Sequence, residues 1–171
     1  SNSDIAFYIA SLYADKEDME NAKTFAQKSL ALNKTNKQAQ DLLKSISENI
    51  ETQNLDKAIA LFDREEYDES LALINQILNT NAKNSYALYY RGMIYDEQKK
   101  YAQAISDYKK AISVNPDLII VNYLIGVDYD MLEQYKNAMS YYKAFTATYT
   151  LDNDYLKYAN TRISELAPYV K

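Results

Sequence analysis

Gly92 and Gly126 stand 34 residues apart in a chain of 171 residues that has no other glycine. Neither has turn chemistry around it: the stretches are YYRGMIY and YLIGVDY, and both read as helix interior. A glycine there costs roughly 1 kcal/mol against alanine, so a steric reason must hold both in place. Setting the two in register aligns their surroundings. Tyr95 falls on Tyr129, Tyr101 on Tyr135, Ala104 on Ala138 and Tyr108 on Tyr142. One period earlier Ala58 takes the glycine place, followed by Leu61, Tyr67, Ser70 and Ile74 at the same offsets. A further, degenerate copy has Ala10, Tyr13, Met19, Ala22 and Ala26, displaced by 48 residues. Repetition at such a period defines the architecture before any single segment is read.

Each copy reads as two helices joined by a short turn, for example about 85–98 and 101–114. The small residues Ala58, Gly92 and Gly126 on first helices face Ser70, Ala104 and Ala138 on second helices, so that two backbones approach closely. Tyr67, Tyr101 and Tyr135 begin the second helices and fill the space below that contact. These small and aromatic residues read as core rather than site. With only 2 glycines and 2 prolines, little sequence is left for sheet turns or flexible linkers.

The pattern resembles the tetratricopeptide repeat family, in which a small residue follows an apolar one, then an aromatic, then Ala-x3-Phe and finally Pro. Residues 85–118 supply Gly92, Tyr95, Ala104, Tyr108 and Pro116. This copy departs from the pattern at Leu88, where the family often has Trp, at Arg91, where it usually has Leu, and at Tyr108 for Phe. Residues 119–152 keep Ile125, Gly126, Tyr129, Ala138 and Tyr142, with Thr150 in the proline place, and 51–84 is looser. The resemblance implies an all-α fold: a right-handed superhelical stack of antiparallel helix pairs. We expect one domain over 1–171, with repeats at about 3–36, 51–84, 85–118 and 119–152.

The segment 37–50 makes the first spacing 48. Its apolar residues Ala39, Leu42, Leu43, Ile46 and Ile50 keep a helical period, and no proline or glycine separates it from the first helix of the second copy. One long helix over about 37–64 is expected, with a kink near Glu51–Gln53 as the alternative. After Asp152 or Asn153 as cap, a C-terminal helix over 153–167 should bury Leu156, Ala159, Ile163 and Leu166 and cover that end of the stack. The front end should be left uncovered, as in a piece cut from a longer protein.

Composition narrows the function. The chain has no histidine and no cysteine, no Gly-rich phosphate loop and no carboxylate set spaced for a metal. The paired carboxylates Glu65–Glu66 read as a solvated helix end. A non-enzymatic protein with no cofactor or metal is expected. The net charge of −5 carries no electrostatic footprint for nucleic acid, and no apolar run approaches a membrane span.

Within the resembled family, the first helix of each repeat lines an inner, concave face. Carried onto this chain, those places hold Phe7 and Ser11, then Leu55, Ile59 and Phe62, then Tyr86, Tyr89, Tyr90 and Met93, and last Ile120, Tyr123, Leu124 and Val127. Relatives that clamp a C-terminal carboxylate need Lys, Asn and Arg there. This chain has Phe7, Ser11, Asp56, Tyr86 and Tyr90, so the clamp is absent. What remains is a groove of tyrosines and aliphatics, with Tyr86, Tyr89 and Tyr123 expected to be exposed. Acidic residues recur near the ends of the first helices: Asp15, Asp63, Asp96 with Glu97, and Asp130. Helix dipoles disfavour them there, so they read either as soluble residues flanking the turns or, more sharply, as a rim for a basic partner. The expected function is binding of a protein or peptide segment with apolar anchors and basic residues. The alternatives are a self-associating scaffold, hence a homo-oligomer, and a small secretion-type chaperone.

Overall fold

The same turn is built four times. Glu17, Glu65, Lys99 and Glu133 take positive φ of 60°, 63°, 58° and 58°, each between the two helices of a pair. A left-handed residue ends the first helix and redirects the chain within three residues into the second. At the far end of the second helices Asn33, Asn81 and Asn115 leave the helical conformation. Their side-chain oxygens accept from the backbone N–H two residues on, at 3.1, 3.2 and 3.1 Å. These are Asx turns that fix the entry to the next pair.

The computed structural model describes residues 1–170. Its helices are α1 Asn2–Asp15, α2 Met19–Leu32, α3 Lys37–Phe62, α4 Tyr67–Thr80, α5 Ser85–Glu97, α6 Tyr101–Val114, α7 Ile120–Met131, α8 Tyr135–Thr148 and α9 Asp154–Leu166. A 3-10 turn, Ala167–Tyr169, comes after α9. There is no strand among the described residues. Helix α3 runs without a break through 51–53, as one long helix. Asn153 rather than Asp152 caps α9, accepting from Leu156 N–H at 3.2 Å.

The chain divides into two compact units, residues 1–56 and 57–171. In the first, α1 and α2 pack through Ala6, Ala10, Ala22 and Ala26, all buried. A buried polar knot joins them: Ser3 Oγ donates to Ser29 O at 3.0 Å, Ser29 Oγ to Ser3 O at 2.9 Å, and Asn36 Nδ2 to both hydroxyls. Every polar group in this knot therefore has a partner, as burial demands.

In the second unit the reason for the helical glycines is visible. A Cβ on Gly92 would lie 2.5 Å from Tyr108 Cε1, and one on Gly126 would lie 2.7 Å from Tyr142 Cδ1. Both rings are fully buried. The close neighbour is thus a tyrosine ring, not the facing Ala104 or Ala138 that the spacing led us to expect. The alanines are buried as well, but an aromatic ring needs the extra space that only a missing side chain leaves. Tyr67, Tyr101 and Tyr135 are half-buried rather than core. Arg91, the departure from Leu, ties three helices together. Its Nε and Nη2 donate to Asp107 at 2.6 and 3.0 Å, and its Nη1 to Asn75 Oδ1 at 2.9 Å.

Candidate functional site

Helices α5, α7 and α9 turn one face of the second unit into a surface of tyrosines. On α5, Tyr89 and Tyr90 meet edge to face at 5.1 Å, Tyr90 meets Phe62 of α3 at 5.7 Å, and Tyr89 lies over Tyr108 at 6.2 Å. On α7, Tyr123 packs against Tyr155 and Tyr158 of α9 at 5.1 and 5.9 Å, with Tyr142 and Phe145 behind it. The two runs are near enough for Tyr155 to act electrostatically on Tyr89: the Tyr89 phenol is pushed up by burial, then by Tyr90 and Tyr155. Burial likewise raises the Tyr90 and Tyr123 phenols, so the face stays neutral and keeps its hydroxyl donors.

Exposure divides the residues singled out from sequence. Tyr86 is 48% exposed, while Tyr89, Tyr90 and Tyr123 are half-buried. The expectation of an exposed Tyr89 and Tyr123 is therefore corrected, because Tyr90 and Tyr108 flank Tyr89 and α9 lays Tyr155 and Tyr158 against Tyr123. In exchange those two rings are 50% and 44% exposed, and the sequence reading missed them by treating α9 as a cover alone. Their spacing of three, flanking the buried stripe of Ala159 and Ile163 on α9, is the signal that could have found them. Met93 and Leu124 pack against the core of Ala104, Tyr108 and Ile125, Val127 against that of Ala138, Tyr142 and Phe145, and Ile120 against both. These four read as walls of the face. Leu55, like Phe7 and Ser11, belongs to the first unit, where all three are half-buried; Ile59 is half-buried in the second.

The acidic residues meet three different fates. Asp15, Asp63 and Glu97 are exposed, and Asp63 is close enough to Tyr90 to raise its phenol further. Asp130 is not a free rim charge. Arg162 of α9 grips it with two hydrogen bonds, Nε to Oδ2 at 2.7 Å and Nη2 to Oδ1 at 2.8 Å, and the Tyr142 hydroxyl stands 3.4 Å away. Asp96 is half-buried and lies against Asp128 of α7, which is fully buried. Both carboxyls are raised above the ordinary carboxylate range, chiefly by burial. Apart from Asp96, Asp128 has no hydrogen-bond partner, and the buried Tyr108 hydroxyl has none at all. Two carboxyl groups can bond to one another only through a proton held by one of them, which is the state burial favours here.

Helix pairs in sequence, each joined by a left-handed turn and packed through small residues beneath aromatic rings, define an α-solenoid. The family model described as Tetratricopeptide repeat matches residues 85–118, and a second model so described matches residues 4–36. Residues 4–36 and 85–118 thus carry the tetratricopeptide repeat, which supports a protein of that family. Among solved structures it is similar to the Arabidopsis OM64 TPR domain, at 15% identity and TM-score 0.64 over 72% of this chain and 98% of that one. It is also similar to the first TPR of Spaghetti (RPAP3) bound to HSP90 peptide SRMEEVD, at 18% identity and TM-score 0.62 over 70% and 92%. The second TPR domain of the human RPAP3 protein, in complex with HSP70 peptide SGPTIEEVD, matches at 16% identity and TM-score 0.62 over 71% and 98%. No curated protein matches the sequence.

Proposed function

We propose that this chain is a non-enzymatic protein-interaction module whose tyrosine face, on α5, α7 and α9, holds a segment of another protein. The observation that supports this reading is the run of rings from Phe62 through Tyr90 and Tyr89 to Tyr155, Tyr123 and Tyr158. Tyrosine gives large apolar contact with few rotors and a hydroxyl for orientation, the combination that interfaces favour. The peptide-bound relatives add to it: two of them are in complex with short peptides. Both of those peptides end in EEVD. This chain has Phe7, Ser11, Asp56, Tyr86 and Tyr90 at the clamp positions, so an acidic tail is disfavoured and apolar anchors with basic residues are favoured. Asp63 beside Tyr90 and Asp96 under the face supply the matching charge.

Binding energy in such a face concentrates in a few central aromatics. Replacing Tyr89 and Tyr123 together by alanine should weaken partner capture at least about tenfold, roughly 1.4 kcal/mol, with helicity unchanged. Capture from an extract of the source organism, compared between the native chain and the double variant, reads this out. Full retention by the variant removes the face from consideration.

A second reading, self-association, has its own observation in the first unit. Ile5, Tyr8 and Leu12 form a row on α1 with 60%, 63% and 43% exposure, and Leu32 of α2 is 54% exposed. With Ile9 and Phe25, Ile5 and Leu32 border a hollow of ≈ 310 Å³. Sedimentation over a range of concentrations, with Ile5→Lys as the control variant, decides whether that row joins two copies.

A further inference from the structure

One slot recurs along the second unit. A residue near the end of one first helix faces the residue 32 positions further on, in the next: Asp130 with Arg162 and Asp96 with Asp128. The same register sets Phe62 with Ile94. Successive slots thus carry apolar with apolar, acid with acid, and acid with base. The second tyrosine-bearing helix contributes equivalently to the last two slots. Tyr142, over Gly126, has its hydroxyl 3.4 Å from Asp130, and Tyr108 lies in the same way over Gly92, one helical turn before Asp96. In the last slot every group is matched, because the Arg162 fork satisfies both oxygens of Asp130. In the middle one the carboxyls of Asp96 and Asp128 have only each other, and the Tyr108 hydroxyl has no partner, Asp128 and Tyr108 both being 0% exposed.

We propose that the Asp96–Asp128 slot, with the Tyr108 hydroxyl, receives the guanidinium of one arginine carried by the segment that the tyrosine face binds. The inference rests on that reading of the face and adds the chemistry of its central contact. A guanidinium offers five N–H donors in a flat fork, enough for two carboxylates and a phenol oxygen once the proton held between the acids is released to solvent, and Arg162 shows a fork on one such carboxylate one repeat further on. Asp96 is the half-buried member of the slot, on the same side of α5 as Tyr89 and Met93, seven and three residues before it. Aromatic walls of this kind also favour a guanidinium stacked on its way in. The arginines that form buried ion pairs within the chain, Arg91 and Arg162, are committed to Asp107 and Asp130. A hard metal ion fits less well. It needs six or more oxygen ligands, and no group of three or more His, Cys, Asp or Glu side chains suited to a metal occurs among the described residues.

The test uses the whole chain and N-acetyl-arginine amide as the probe, with N-acetyl-citrulline amide as its neutral isostere, and reads the carboxyl carbon resonances of Asp96 and Asp128 at low ionic strength. The arginine amide should shift both resonances saturably, and the citrulline amide should leave them in place. Affinity should fall at least tenfold in Asp96→Asn and in Asp128→Asn. Because Asp96 is half-buried, its variant keeps the test decisive should Asp128→Asn fail to fold. Equal responses to arginine and citrulline, or unchanged affinity in the asparagine variants, overturn the slot. If arginine leaves both carboxyls unmoved while Tyr89→Ala with Tyr123→Ala still weakens partner capture, the slot falls and the face stands. If neither effect is seen, both fall.

Discussion

Gly126→Ala sets two effects of opposite sign against each other. In an exposed helix the change should stabilise by roughly 1 kcal/mol. Here the added Cβ would stand 2.7, 2.8 and 3.2 Å from Cδ1, Cε1 and Cγ of Tyr142. Ordinary carbon contacts lie at about 3.5–4.0 Å, so the ring must retreat by about 1 Å. It has nowhere to go. Tyr142 is 0% exposed, faces Tyr123 and Tyr158 at 6.2 Å each, and has its hydroxyl beside Asp130. The contacted atoms are in the body of a rigid ring, not at the end of a flexible chain. Overpacking of this kind costs roughly 1–3 kcal/mol. We expect a net loss of about 1–2 kcal/mol, or about 2–8 °C in Tm for a chain of this size, measured by thermal and urea denaturation. Gly126→Leu should cost more. Truncating the ring in the double variant Gly126→Ala with Tyr142→Leu should recover part of the loss, giving a coupling of at least about 1 kcal/mol in the cycle. A neutral or stabilised Gly126→Ala, or additive single effects, would refute the steric account and leave the 34-residue glycine period unexplained.

Asp128 tests the buried pair by pH. Its carboxyl is raised to about 9 by burial and then by Asp96, so the folded chain keeps a proton that the unfolded chain releases above its ordinary range. Stability should therefore fall as pH rises from about 4 to about 9. Asp128→Asn should remove that slope, melting at least about 2–4 °C above the native chain at pH 8 and converging with it near pH 4; parallel curves would mean that the carboxyl is ionised throughout. Arg162→Met should leave Asp130 unpaired and cost about 1–3 kcal/mol, with amide exchange rising first in α9, whereas uniform exchange across 57–170 would contradict local anchoring. Glu133→Gly relieves a left-handed residue worth about 1–2 kcal/mol against roughly 0.5–1 kcal/mol of added chain entropy, so melting should show no loss and up to about 1 kcal/mol of gain.

Much of this architecture can be read from residues because a repeat states each instruction several times. The period of Gly92 and Gly126 marks the first helices, and Tyr67, Tyr101 and Tyr135 mark the first residues of α4, α6 and α8. The unbroken α3 reflects the apolar period of 37–50 with no breaker after it. The partner of each glycine was not legible, because a period aligns equivalent positions without saying which atoms meet across the helix pair. Tyr142 and Ala138 share one helix, and only the crossing puts the ring of Tyr142 over Gly126. The acidic residues failed for a related reason. In sequence Asp96 and Asp130 are equivalent, yet Arg162 neutralises one and Asp128 opposes the other. Neither contact lies within a repeat, so internal comparison of the copies could not show it. The cover over Tyr123 was hidden likewise, because α9 was read for its buried stripe alone.

A repeat scaffold separates the contacts that hold helices together from those that distinguish one repeat from the next. The glycine beneath a tyrosine is kept in both well-matched copies, since any change there meets the same ring. The slot 32 residues apart is not kept. Asp130 with Arg162 satisfies itself by a bidentate ion pair, and Phe62 with Ile94, in the same register, brings no polar group to be satisfied. Asp96 with Asp128 does neither: the two acids have only a shared proton between them and leave the Tyr108 hydroxyl without a partner, which costs roughly 1–3 kcal/mol. One substitution at position 128, to the isoleucine of the slot before it or the arginine of the slot after it, would use a solution the chain already contains. A marginally stable fold that keeps the costly filling, beside an aromatic face and open to solvent through Asp96, has the energetics of a site completed from outside. A cation supplied by a partner satisfies these groups and lowers the free energy of the bound state alone. Stability withheld from the free chain then becomes affinity for a ligand with the right charge.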